Sequence, residues 1–248
     1  MRQELKYIVP NYLLPELRAL LLTQMIYDEN VDEETKEYTV RSIYFDDKHL
    51  RYYHQKAFNH TDRKKVRLRG YGESPESKVV MEIKRKSSGS GTKDRHFVDY
   101  SQALESIQNK RVVSGSDDEV KFIYHIIRYQ LHPTANIIYD REPFMERYET
   151  KNNLRITFDK NLRYKFMPRV DKLFSNESLV RAGGNNFILE VKFNYHFPEW
   201  LEQIVSSIGI RRSPASKYAI SLDSSPLMRS HIARFAFNRP YLVSGSVA

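Results

Sequence analysis

VVMEIKRK, residues 79–86, carries the pattern on which the fold turns. Successive side chains of a strand point to opposite faces. Val79, Met81 and Ile83 therefore share one face, and Glu82 and Lys84 share the other with Val80. The same spelling recurs along the chain. In RKKVRLRGY, residues 63–71, Val66 and Leu68 stand against Arg67 and Arg69. Leu154, Ile156 and Phe158 oppose Arg155, Thr157 and Asp159, while Phe187, Leu189 and Val191 oppose Glu190 and Lys192. At the N-terminus Leu5 and Tyr7 oppose Glu4 and Lys6. Any one of these is an ordinary half-exposed antiparallel strand. As a set they differ from solvated faces, which mix Thr, Ser and Gln with charges in no fixed order. Opposed like charges also cost roughly a few tenths of a kcal/mol per pair unless an anion compensates them.

Working outward, further strands are expected at 37–46, 93–100 and 135–145, beside those at 4–9, 64–71, 78–86, 154–158 and 186–194. Helices are expected at 15–27, 101–109, 117–131, 198–208 and 216–222, with a weaker one at 226–237. In 117–131 the residues Val120, Ile123, Tyr124, Ile127 and Leu131 recur at helical spacing and form an apolar stripe. Tyr52 and Tyr53 read as barrel packing rather than a base-stacking platform. The fold expected is α+β: an eight-stranded antiparallel β tunnel barrel with surrounding helices. Its outer face is greasy and helix-covered, and its lumen is ionic. One domain over residues 1–248 is expected, with a helical tail at 223–248.

The composition agrees. Forty Lys and Arg face 31 Asp and Glu, a net charge of +9, and 40% of the 248 residues are hydrophobic, which excludes a disordered or collagen-like chain. No run reaches the roughly 18 apolar residues of a membrane helix, and no signal-peptide core is evident. Cysteine is absent, so disulfides and thiolate metal sites are excluded. A cytoplasmic location is expected. The positive excess points to a polyanion. Arg forks grip phosphate oxygens in pairs and Lys acts as a mobile point charge. A few carboxylates among many cations suit Mg²⁺ or Mn²⁺ bridging phosphates. A triphosphate or longer polyphosphate is the natural guest, and with no Walker-type loop it must be held by side chains.

Eight motifs in order resemble the VTC domain, the catalytic domain of the vacuolar transporter chaperone polyphosphate polymerase, within the CYTH / triphosphate tunnel metalloenzyme superfamily. They are RQELKY (2–7), RSIYFDD (41–47), RKKVRLRGY (63–71), VVMEIKRK (79–86), YDREPF (139–144), LRITFDKNLR (154–163), FILEVKF (187–193) and SKYAISL (216–222). The resemblance implies a phosphotransferase that moves the ATP γ-phosphate onto a growing polyphosphate chain, assisted by Mn²⁺ or Mg²⁺. It assigns catalytic roles to Lys6, Arg67, Arg69, Lys84, Arg141, Arg155 and Lys217. It assigns substrate binding to Arg41, Lys93, Arg95, Tyr139 and Lys192, and metal ligation to Glu190, Glu4 and Glu82. Residue by residue, other readings stand beside these. Glu190 is a metal ligand or a salt-bridge partner of Lys192 or a neighbouring Arg. Glu4 and Glu82 contact metal or orient a Lys. Arg41 faces the tunnel or pairs with Asp46 or Asp47, and Asp159 orients Arg155 or a tunnel Lys. The family's regulatory N-terminal domain and membrane helices are not seen in the sequence, so a stand-alone form is expected, with room for a membrane partner.

The partners expected are ATP and inorganic polyphosphate or pyrophosphate, with no nucleic acid. Two other functions compete: a tunnel triphosphatase acting on tripolyphosphate or nucleoside triphosphates, and a non-catalytic polyanion-binding module. A pure RNA binder would lose affinity steeply with salt and need no metal.

Overall fold

The alternation in the sequence is realised on one antiparallel sheet, and the computed structural model describes residues 2–87, 90–226 and 228–229. In chain order the elements are β1 (Gln3–Pro10), α1 (Leu14–Leu22), β2 (Met25–Tyr27), β3 (Tyr38–Asp46), α2 (Arg51–Ala57), β4 (Arg63–Tyr71), β5 (Lys78–Ser87) and β6 (Ser90–Asp99). There follow α3 (Tyr100–Asn109), α4 (Asp117–Arg128), β7 (His132–Glu146), β8 (Arg155–Phe166), β9 (Val180–Arg181), β10 (Asn186–Phe193), α5 (Glu199–Ser207) and α6 (Lys217–Asp223). Eight strands run in the order β1-β10-β8-β7-β3-β4-β5-β6, with the short β2 and β9 added on β7 and β8.

The sheet curls until β1 faces β5, where Lys84 Nζ lies 3.5 Å from Glu4 Oε2. It does not close as the barrel expected from the sequence. Among the described residues β1 and β6 remain its two edges. The reason lies beside β1: Tyr7 bridges to Arg212, and Ser213 N–H donates to the Lys6 carbonyl at 2.8 Å. The segment leading into α6 thus takes positions that a closing strand would need.

Two apolar layers cover the convex face. Val66, Leu68, Val79, Met81 and Ile83 pack with Ala103 and Ile107 of α3 and Phe122, Ile123 and Ile126 of α4. On the other half, Phe158, Leu189 and Val191 pack with Leu17 and Leu21 of α1 and Leu201 and Val205 of α5. Gly70 belongs to this packing, because a Cβ there would lie 2.6 Å from the Phe174 ring. A third cluster closes the concave side, joining Val40, Tyr44 and Ile137 of the sheet to Tyr53 of α2 and Tyr218 and Leu222 of α6.

Several local expectations change. Residues 15–27 divide into α1 and β2, and the strand expected at 154–158 continues to Phe166. Tyr52 and Tyr53 lie in a helix where no element was expected, and Asp46 accepts hydrogen bonds from both of their backbone N–H groups at 3.0 Å, and Asp47 from that of Arg51 at 3.1 Å. The α4 stripe is rotated: Phe122, Ile123 and Ile126 are buried, while Val120, Tyr124 and Ile127 are exposed. The helix expected at 226–237 and the tail fall almost wholly outside the described residues.

The inner face of α4 is therefore what holds it. Phe122→Ala should lower stability by about 3–5 kcal/mol, whereas Tyr124→Ser should change it by less than about 0.5 kcal/mol. Urea unfolding of the two variants checks this; equal costs would contradict the observed face.

Candidate functional site

The ionic faces of the strands meet inside the curl. β4 brings Lys65, Arg67 and Arg69, which lie opposite Lys84, Glu82 and Val80 of β5. β6 continues two of these rows with Lys93 and Arg95. Across the space, Lys6 of β1 lies opposite Glu190 of β10, Lys192 lies opposite Arg155 of β8, and Arg141 of β7 opposite Asp159. Lys217 enters at the start of α6, and Tyr218 beside it stacks on Tyr44 at 5.0 Å.

Four carboxylates hold this crowd of cations in place. Lys6 Nζ lies 2.8 Å from Glu4 and 3.0 Å from Glu190, and Glu190 also pairs with Lys192. Arg141 grips both oxygens of Asp159, at 2.7 and 2.9 Å, and Lys217 pairs with the same carboxylate. Glu82 pairs with Arg67 and, at 3.3 Å, with Arg95. Burial would raise these acids, but the surrounding cations win. Glu82, Glu4 and Asp159 are held at about 2, and Glu190 well below the usual carboxylate range. All four remain ionised at neutral pH.

The cations exceed these acids, and some of their donors find no partner. The Nε atoms of Arg67 and Arg69 are buried without a hydrogen bond among the described residues, as are Ser42 Oγ and Thr157 Oγ1 nearby. Lys65 is pushed down to about 7 by burial, reinforced by Lys6, Arg67 and Lys84 and opposed by Tyr44. Burial alone would raise the Tyr44 phenol. Arg67, Lys65, Arg69 and Lys217 instead bring it down to about 7, and Arg67 Nη1 donates to its oxygen at 2.9 Å. Buried donors and like charges in this state call for an anion.

Most residues expected at the site are brought together, with a few differences. Lys93 and Arg95 stand at the exposed edge on β6. Arg155 pairs with Asp28 at 3.0 Å rather than with Asp159. Tyr139 is buried between Arg141 and Lys217, whose charges lie 5.3 and 4.4 Å from its ring centre. Arg41 does not join the site. It alternates with Ser42, which lies opposite Arg69, so it points to the convex side, where Nε donates to the Gly72 carbonyl at 2.9 Å and Nη2 meets Glu73 rather than Asp46 or Asp47. Two site residues, Lys65 and Tyr44, lie within the quoted motifs but were given no role there. Lys65 was legible as the next inward position of the alternation that gives Arg67 and Arg69.

Among the described residues no group of three or more His, Asp and Glu side chains is placed to hold a metal unaided. Glu4 and Glu190 converge on Lys6, and each is engaged by two lysines, so a divalent ion between them would take the place of Lys6 and draw its remaining ligands from substrate oxygens. Glu82 is engaged instead by two arginines.

The sequence matches the VTC domain over residues 1–225. The chain belongs to the VTC domain family. Among curated proteins none matches. The fold is similar to that of a Bacillus halodurans protein whose crystal structure is described as a putative adenylate cyclase, at a TM-score of 0.50 and 14% identity, covering 87% of this chain and 95% of that one. No helix of the described residues is long and apolar enough to cross a membrane.

A tyrosine titrating near neutrality is a direct signature of the cation cluster in this VTC domain. An absorbance titration without added anions should show one phenolate forming near pH 7, absent in Tyr44→Phe. Because the folded value lies below the ordinary 10.0, this group contributes stability in full above pH 10, and the contribution is lost as pH falls through about 7. A titration in which no phenolate forms below pH 9 would refute the arrangement.

Proposed function

We propose that this VTC domain is an ATP-dependent polyphosphate polymerase, moving the γ-phosphate of ATP onto an inorganic polyphosphate chain held along the concave face. The observation that carries the reading is the surplus of buried cationic donors, above all the unpartnered Nε atoms of Arg67 and Arg69. A triphosphate or polyphosphate supplies the dense acceptors that such donors lack. Family membership supports the same substrate class.

The chemistry asks little of the protein beyond alignment and charge. The attacking group is a phosphate oxygen that is already anionic, so no Ser-His or Cys-His pair is needed. Arg67 and Arg69 grip the transferring phosphoryl group from one wall of the curl, and Lys6 and Arg141 meet it from the other. Charge spreading onto its oxygens in the transition state is stabilised by groups already fixed by Glu82, Glu190 and Asp159, without reorganisation. Lys217 is positioned by Asp159 to reach the same space. Lys84, Lys93, Arg95, Arg155 and Lys192 extend the cationic lining along the chain's path. Glu4 and Glu190 would hold Mg²⁺ or Mn²⁺, which when bound neutralises phosphate charge.

Incubation with ATP, Mn²⁺ or Mg²⁺ and a short polyphosphate primer should give a ladder of lengthened chains when products are resolved by size. Release of orthophosphate alone, with an unaltered primer, would replace this reading by a tunnel triphosphatase. Binding without turnover would leave a polyanion-binding module. Arg69→Ala breaks no ion pair among the described residues, so it should fold normally. It should still lower kcat/KM by about 10²-fold or more.

A further inference from the structure

The concave rows of β4, β5 and β6 change character along the strands. Arg67 shares its row with Glu82 and Arg95, and two residues on in one direction the row is Lys65, Lys84 and Lys93. Two residues on in the other direction, about 7 Å away, it is Arg69, Val80 and Phe97. Phe97 shares the concave side with Arg95, yet its ring is 63% exposed on the edge strand β6. Tyr71, the concave position of β4 after Arg69, is 39% exposed. Tyr38 meets its ring edge to face at 6.0 Å, which limits its freedom to move. One end of the concave face is therefore rimmed by aromatic rings and the other by ammonium groups. Scattered surface apolar residues are ordinary, but apolar groups gathered beside a binding cleft mark a ligand surface.

We propose that Phe97 and Tyr71 form a nucleobase platform, on which the base of a nucleoside triphosphate stacks at the aromatic end, beyond Arg69. The inference rests on the nucleotide reading above and adds what that reading leaves open: which end takes the base, and which bases are accepted. Stacking on an aromatic face asks only for a π-surface, which every base has. Between Arg69 and Phe97 the row offers only Val80, which has no hydrogen-bonding side chain to read a base edge. The platform therefore accepts adenine and guanine alike. It favours them over the smaller pyrimidines, which cover less of the ring. It also orients the nucleotide: with the base at the aromatic end, the γ-phosphate points inward, and the phosphoryl group leaves in the direction of the ammonium end.

Calorimetric titration of the full chain with ATP, GTP, UTP and inorganic tripolyphosphate tests the platform. Phe97→Ala should weaken ATP and GTP by roughly five- to a hundredfold, while tripolyphosphate, which carries no base, changes by less than about twofold. Phe97→Trp should restore ATP binding. Phe97→Leu, which keeps apolar bulk without a π-face, should not. UTP should bind the parent more weakly than ATP, by a margin that Phe97→Ala removes. Equal weakening of ATP and tripolyphosphate, ATP binding indifferent to Phe97→Ala, or rescue by Leu as complete as by Trp each overturns the platform. A strong preference between ATP and GTP in the parent would overturn it too, since it requires a base edge to be read. If the parent binds neither ATP nor tripolyphosphate, the function proposed above fails. Normal tripolyphosphate binding with ATP insensitive to Phe97 sinks the platform alone.

Discussion

Mutual repulsion among the concave cations is the constraint to which the rest of the molecule answers. Burying that many ammonium and guanidinium groups together is tolerable only where each carboxylate serves more than one of them. Glu190 takes Lys6 and Lys192, Asp159 takes Arg141 and Lys217, and Glu82 takes Arg67 and Arg95. Such pairs are weak contributors to net stability because desolvation offsets most of the attraction. Their effect is geometric, since each cation is left with fixed position and spare donors. The stability resides on the convex side, in the two apolar layers under α1 and α5 and under α3 and α4.

That division explains what could be read in the sequence. Period-two alternation distinguishes the two faces of a strand without any knowledge of partners, so Val79, Met81 and Ile83 against Glu82 and Lys84 were sorted correctly. Arg41 was placed at the site by its motif alone, and alternation could not have corrected it. β3 is buried on both sides, with Ser42 and Tyr44 inward and Arg41 and Ile43 outward, so polarity no longer reports the face. α2 was missed for a different reason. Tyr52 and Tyr53 favour strands, and the helix depends on carboxylates from the end of β3, a tertiary contact that no local window contains. The α4 stripe was rotated because aromatic and branched residues lie on both of its sides, so periodicity alone did not fix its phase.

Asp46 shows how distant parts of the chain are bound to the site. Beyond capping α2, it accepts a hydrogen bond from the Tyr218 hydroxyl at 2.9 Å. Tyr218 stacks on Tyr44, which receives Arg67. The residue before Tyr218 is Lys217, and the one before that is Ser216, the partner of Lys65. A carboxylate outside the basic face thus fixes the helix that delivers two of its contacts. Burial raises Asp46 to about 6, even against the hydrogen bonds it accepts. Keeping it ionised in the folded chain therefore costs stability as pH rises from 3.8, its ordinary value, through about 6.

That β1 and β6 do not pair with each other has a mechanical consequence. A closed barrel resists changes of bore, because widening it means stretching every hydrogen-bonded ladder around the ring. Here the backbone ladder is interrupted between β1 and β6, and the side-chain contact between Lys84 and Glu4 spans toward that gap. The cylinder is thus a split ring, in which a change of bore along that line would break no strand-to-strand ladder of the sheet.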